Sequence, residues 1–358
     1  MTHIYRISIV WCMALFVWTV AAQDTSSQMK GLLIDASELQ NQQAESLEES
    51  GMKQMVVSIE ASPTPSQTQA LERLEKSDLD IWYWIEIARD EKMATEHPEW
   101  MASIQGHPEW RRFHPEFPEE KENEVVKVFP WVPVFYEGAF DAHLQKVQRL
   151  LEAWPKPKGI FLNDLQGAPT ACGCGHPLCR WTTDYGPKKT AINLGHDSPA
   201  RFVRTIRDTY PKVECVPVWA TECEAHDKDG MCAGVGCYNG ACWREWSKQL
   251  EPLANTTPHL GVLLTYKELE RDLPIYTEPA GWITKAIKTF DTESARFHPP
   301  PITPDRLIGI LQGWDVTPEE QSAQIRQIEN TNTHGYILSK INISTQWEPR
   351  IFHMRVAR

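Results

Sequence analysis

The sequence predicts an α/β fold, a single (β/α)8 barrel of the TIM type with long, cysteine-rich loops at the C-terminal face of its strands. Three observations predict it. Short apolar runs alternate with amphipathic stretches along the chain, the pattern of a parallel α/β sheet. Eight such runs stand in that alternation, several ending in an acidic residue. No Gly/Ser linker, repeat or low-complexity run divides the 358 residues, so residues 23–358 read as one domain of barrel size.

Residues 1–22 read as a signal peptide: Arg6, an apolar run over 7–20, and small residues before Gln23. The run is shorter than the ~20 residues of a membrane span, no later segment approaches that length, and Cys12 lies inside the run rather than after a lipidation box. The expectation is an exported chain, periplasmic or extracellular, without a span after cleavage. The whole chain has 36 basic and 48 acidic residues, formal charge -12. Without Arg6, and with no acid lost, 35 stand against 48, a charge of -13. Such an acidic surface repels nucleic acid and anionic lipid.

The strands follow in order. Residues 30–36 end in Asp35, and a polar helix runs to about 50. Residues 55–60 are broken by Pro63 and Pro65, with a helix from Ser66 through Leu71 and Leu74. Residues 81–88, IWYWIEIA, are a third strand whose period of two places Trp82, Trp84 and Glu86 on one face and Tyr83, Ile85 and Ile87 on the other. The pattern fails over 89–138, a segment carrying HPEW at His97 and again at His107, read as a packed lid. Within it, 131–136 reads as extended lid rather than as a ninth strand.

Phe140, Leu144, Val147, Leu151 and Trp154 then recur on one helical face. Residues 159–162 form an apolar fourth strand with Asn163 and Asp164 at its tip. Ser198-Pro199 opens a helix through Phe202 and Ile206. Residues 213–220 are strand five, ending near Glu222 and Glu224, and Trp243 to Leu253 make the next helix. Residues 260–266, 307–312 and 335–340 complete the eight strands, with a helix over 282–290 and a capping box at Thr317-Pro318-Glu319-Glu320. The tail, 347–358, is too short and too basic to read as an eighth helix.

This arrangement collects Asp35, Glu60, Glu86, Asp90, Asp164, Glu222, Glu224, Trp314, Asp315 and Lys340 at one face. An acid-rich, tryptophan-rich mouth suits glycoside hydrolysis, in which one carboxylic acid protonates the leaving oxygen while a carboxylate attacks or activates water. Asp164 and Glu222, on adjacent strands, are the expected catalytic pair, and Glu86 is the third candidate. Asp35, Trp82, Trp84, Asn163, Trp314, Asp315 and Lys340 are the expected substrate contacts, the tryptophans by stacking on sugar faces. The competing reading is that each acid caps the helix after it. The expected partner is a poly- or oligosaccharide, and no cofactor is expected.

Eight cysteines remain beyond the leader. In an oxidising compartment Cys172, Cys174, Cys179, Cys215, Cys223, Cys232, Cys237 and Cys242 are disulfide candidates that brace two neighbouring loops, 165–197 and 222–242, with the pairing left open. The rival is a metal site at Cys172, Cys174, His176 and Cys179, although C-x-C followed by four residues and Cys differs from the usual C-x-x-C knuckle.

The succession YWIEIARDE, a loop with HPEW, the helix AFDAHLQKVQRLLEAW and then PKGIFLNDLQ resembles the middle of bacterial secreted glycoside-hydrolase-like (β/α)8 barrels, over residues 82–166. In those barrels a strand-three tip is followed by a His-Pro-x-Trp loop, a helix and a strand of the type G-I-x-L-D. The resemblance implies the barrel and a polysaccharide-processing role. The family's acid after Leu falls here on Asn163, with Asp164 one position later. The α-amylase clan is similar in placing a nucleophilic Asp on strand four and an acid Glu on strand five. A non-catalytic glycan- or partner-binding barrel and a metal-binding protein built on 172–242 stand as the alternatives.

Overall fold

The computed structural model of this chain describes residues 28–42, 44–101, 124–165, 197–220, 252–265, 280–294, 302–343 and 350–355. Its strands are Met29–Asp35 (β1), Gln54–Ser58 (β2), Asp80–Glu86 (β3), Glu124–Phe129 (β4), Gly159–Asn163 (β5), Glu214–Ala220 (β6), Leu260–Leu264 (β7), Leu307–Gln312 (β8), Gly335–Ser339 (β9) and Arg350–Arg355 (β10). Its α-helices are Ala44–Glu49 (α1), Pro65–Leu74 (α2), Glu91–Glu96 (α3), Glu137–Ala153 (α4), Ser198–Thr209 (α5), Gly281–Ser294 (α6) and Pro318–Glu329 (α7). Eight strands close a parallel barrel in the order β1-β2-β3-β5-β6-β7-β8-β9, with β9 pairing back to β1. All eight are the strands expected from the apolar runs.

The period of two along each strand sorts side chains into two cores. Leu33, Val56, Trp82, Trp84, Phe161 and Ile310 belong to a cluster made almost wholly of strand residues, which fills the barrel. Tyr83, Ile85, Ile160 and Leu162 belong to a second cluster with helix residues such as Leu71, Val147, Phe202 and Ile328, the layer between sheet and helices. The polar tips in that outer layer are satisfied: Tyr83 Oη donates to Pro155 O and Trp154 Nε1 to Ala61 O, each at 2.7 Å. Gln324, on α7, holds the backbone of β8 at two points, accepting from Gln312 N at 3.0 Å and donating to Gln312 O at 2.6 Å.

Local chemistry moves some helix starts from where the sequence places them. Thr64, not Ser66, caps α2, in a capping box with Gln67 that leaves Pro65 in the first turn. Before α5 the cap position is Asp197, which makes no side-chain bond, while Ser198 is buried. The Thr317–Glu320 box forms as expected. Asp35 starts a 3-10 turn, Ala36–Asn41, before α1.

Between β3 and β5, residues 131–136 form no barrel strand. Trp131 makes one antiparallel bridge to Arg89, Val132 N donates to Ala88 O at 2.7 Å, and Val134 N to Leu165 O at 3.1 Å, so this stretch lies along the extended ends of β3 and β5. Two strands were not expected from the sequence. β10, in the tail, pairs antiparallel with β4 in the insertion, from Arg350 opposite Phe129 to Arg355 opposite Glu124. The EVVKVF run of β4 alternates like a strand, but its partner lies more than 200 residues on.

The insertion is anchored by a small polar set, half-buried at Asp90 and Lys146 and fully buried at His143. Asp90 caps α3 by accepting from Met93 N at 2.9 Å, and Lys146 on α4 donates to its other oxygen at 2.8 Å. His143, fully buried on α4, bonds Val132 O through Nε2 at 2.7 Å, and its Nδ1 has no partner. Burial first, then the Lys146 charge, push this ring down to about 4, against the opposing pull of the Val132 carbonyl and Asp90. Burial alone would raise Asp90, but the Lys146 charge and hydrogen bond and the Met93 amide together hold it below its ordinary value.

Two predictions follow from this packing. A β-carbon at Gly159 would overlap the Trp82 indole inside the barrel, so Gly159→Ala should destabilise the fold by about 1–3 kcal/mol in urea denaturation. His143 is neutral when folded and charges below about pH 6.5 when unfolded, so its contribution is full above that pH and is lost as pH falls towards 4. Unfolding free energy should drop by about 2–3 kcal/mol between pH 7 and pH 4.5 on this account, and His143→Gln should remove that part of the decline.

Candidate active site

Parallel pairing puts the inward residues of β3 and β5 side by side: Trp82 with Gly159, Trp84 with Phe161, Glu86 with Asn163. The first two rungs are apolar and fill the barrel. The third is polar and stands at the C-terminal mouth, where barrels of this class hold their ligands.

Glu86 is gripped on several sides. Asn163 Nδ2 donates to both carboxylate oxygens, at 2.9 and 3.1 Å, and Trp84 Nε1 donates to Oε2 at 3.3 Å. Arg89 Nε lies 3.8 Å from Oε1. The Glu86 side chain keeps 13% of its surface exposed, so it is oriented from below and still reachable from the mouth. Asn163 is only 4% exposed, and its Oδ1 is buried and finds no partner among the described residues.

Asp164 leaves β5 with φ 58, a left-handed conformation that Asp tolerates better than most residues but that still costs about 1 kcal/mol. Its carbonyl accepts from Ala88 N at 3.1 Å, and its carboxylate accepts from Trp131 Nε1 at 2.8 Å. The offset between Asn163 and Asp164 is thereby resolved in geometry. Asn163 is the inward residue of the strand, and the turn at Asp164 sends the acid on a separate course towards the insertion.

The other expected site residues divide. Trp82 and Trp84, at 3% and 1% exposure, are core rungs rather than stacking platforms: Trp84 stacks on Phe161 with centroids 6.0 Å apart, and Trp82 meets Phe161 at 5.4 Å. Trp314 is also buried in the inner cluster, its carbonyl accepting from Gln312 Nε2 at 3.2 Å. Asp315 is exposed beside it with φ 52. Asp35 is exposed at the tip of β1 and spends Oδ1 on Ser37 N and Oγ, at 2.8 and 2.6 Å, a capping role. Lys340 is exposed and reaches Gln321 Oε1 at 3.3 Å. The first HPEW forms a short 3-10 turn in which the His97 ring stacks on Trp100 at 3.7 Å, a structural use of the motif.

Cys215 is a correction: it carries a free, buried thiol, its Sγ directed to Val213 O. As the second residue of β6 it faces the outer layer near the N-terminal end of the strand, opposite the C-terminal mouth, and burial pushes the thiol up to about 12. Glu222, Cys172, Cys174, His176, Cys179, Cys223, Cys232, Cys237 and Cys242 lie outside the described residues. Among the described residues no group of three or more His, Cys, Asp or Glu side chains is arranged to hold a metal ion, and no helix is long and apolar enough to cross a membrane.

Sequence reasoning missed the roles of Trp131 and Arg89. Trp131 donates to one mouth acid and Arg89 flanks the other. Each is one of many tryptophans or arginines in the chain, and only the crossing of the insertion over β3 and β5 singles them out.

No family model and no curated protein matches this chain. Similar solved structures include a putative alpha-L-fucosidase from Bacteroides thetaiotaomicron, at 7% identity over 87% of each chain with a TM-score of 0.43. A class V chitinase from Nicotiana tobaccum aligns at 7% identity over 87% of this chain and 93% of its own, TM-score 0.41. A beta-galactosidase from the psychrophilic Marinomonas ef1 aligns at 9% identity over 87% and 53%, TM-score 0.46. These neighbours are glycoside hydrolases by description. At such identities and scores they add nothing to the barrel already established by strand pairing.

If the Trp131 indole supports Asp164, a double-mutant cycle over Trp131→Phe and Asp164→Ala should return a coupling energy of about 1–3 kcal/mol in chemical denaturation. Additive effects would mean that the bond contributes nothing.

Proposed function

We propose that this chain is an exported carbohydrate-active hydrolase that cleaves glycosidic bonds of a poly- or oligosaccharide at the barrel mouth. Glu86 and Asp164 are the carboxylates that act on the bond, and Glu222, expected near the tip of β6, is a third acid within the same reading. The observation that carries this is the state of Glu86: an acid on the inward tip of a barrel strand, oriented by Asn163 and Trp84 and left partly open.

Backbone register supports the pairing of these two acids. Adjacent strands run ~4.8 Å apart, and Asp164 follows the residue in register with Glu86, so their backbones lie roughly 5–8 Å apart. From there two carboxyl groups reach the ~5–10 Å that glycosidase pairs use. Export rests on the leader read at residues 1–22.

Glu86→Gln and Asp164→Asn, assayed on aryl glycosides and polysaccharides, should each cut turnover by about 10²–10⁴-fold while oligosaccharide binding is largely kept. Unchanged turnover in both variants would remove the assignment. A second reading, a non-catalytic glycan-binding barrel, is favoured by one observation: the inward tip of β5 is the amide Asn163 where the resembling barrels carry an acid. It predicts retention on insoluble polysaccharide with no sugar released by the wild-type protein.

A further inference from the structure

Every group that touches Glu86 among the described residues is a donor: the Asn163 amide, the Trp84 indole and the Arg89 guanidinium. The amide and the indole are at hydrogen-bond distance, so the carboxyl group is fixed from beneath while its outer face stays open to the mouth. Asn163 is the one member that reaches both oxygens. It does so at a cost, because its Oδ1 is left buried with no partner among the described residues, a loss on the order of 1–3 kcal/mol for a carbonyl of this kind. A residue chosen for packing would not carry that cost: leucine has the same branched set of four side-chain heavy atoms and no polar atoms to satisfy.

We propose that Asn163 is a positioning residue whose amide clamps the Glu86 carboxyl group at the mouth and fixes the direction in which it meets the substrate. The inference rests on the reading of Glu86 and Asp164 as the working acids. Among the described residues the charged group paired with Glu86 is Arg89, at 3.8 Å, and Asp164 follows Asn163 in the chain.

The decisive variant is Asn163→Asp, which exchanges the clamping amide for an oxygen in a side chain of nearly equal size. Two carboxylates at hydrogen-bond distance cannot both ionise, so the pair must retain a proton. Infrared difference spectra against wild type at pH 7 should show a protonated carboxyl band. The variant's stability deficit should shrink as pH is lowered from 8 to 5, since a proton held more tightly in the folded state stabilises most at low pH and is lost as pH rises. The exchange variant Glu86→Gln/Asn163→Asp, in which the introduced amide can donate to the introduced carboxylate, should recover the lost stability and lack the band.

Absence of the band in Asn163→Asp, or failure of the exchange variant to recover stability, overturns the clamp. Neither readout needs a substrate, so the clamp can fail while the hydrolase reading stands, and the reverse. Where turnover is measurable, Asn163→Asp should lower kcat by about 10²-fold with KM little changed; an unaltered kcat also overturns the positioning role.

Discussion

In the register that pairs β3 with β5, Trp82 faces Gly159, Trp84 faces Phe161 and Glu86 faces Asn163, and each rung meets a different demand. A closed barrel has a fixed interior, so a side chain as large as an indole at one position requires a void beside it. Gly159 provides that void, and Trp82 fills it. One rung up, Trp84 and Phe161 stack, and the indole N–H that stacking leaves free is directed at Glu86. The polar rung thus rests on the aromatic one. A slip of a single residue would turn the tryptophans into the helix layer and draw Tyr83 and Ile85 into the barrel, so packing and site geometry are set together.

The insertion adds a second set of constraints at the same place. Its return path runs along the ends of β3 and β5 through backbone bonds to Ala88 and Leu165 and is tied to α4 by His143 and the Asp90–Lys146 pair. This path brings Trp131 against Asp164. Held ion pairs and a buried neutral histidine are not economical as stabilising devices. They fix one arrangement of a long segment whose own apolar cluster, with Met101, Phe129, Val132 and Tyr136, packs without direction, and the indole of Trp131 depends on that arrangement.

Much of this was legible in the sequence, because the barrel strands are short and apolar and their alternation assigns faces. The eight strands, the inward phase of Trp82, Trp84 and Glu86, and the capping box at Thr317 all follow from local pattern. What did not follow depends on distant partners. β10 and β4 pair across more than 200 residues, and nothing in EVVKVF or RIFHMR identifies the other. Period-two alternation also places a side chain on the inward face without saying how deep it lies. Trp84 and Glu86 share that face, yet one is core and the other is at the mouth. The acid order at the tip of β5 was misleading for a related reason: Asp164 is the next residue in the chain but, with φ 58, no longer part of the strand's alternation.

The tryptophans deserve a different account from the one their number suggests. A mouth rich in indoles reads as a surface for sugar rings, but Trp84 and Trp131 are buried and each presents an N–H to one of the two acids. An indole donates and cannot accept, and it brings a large apolar body that excludes water from the carboxylate it touches. Two acids on adjacent strands would repel one another and tend to share a proton if both lay in one undivided pocket. Separate indole donors, and the Asn163 amide on Glu86, surround the two carboxylates with different side chains although they sit one register step apart. In hydrolysis by a pair of carboxylates the two act differently on the same bond, and unlike surroundings at two neighbouring acids are what the proposed function requires of this mouth.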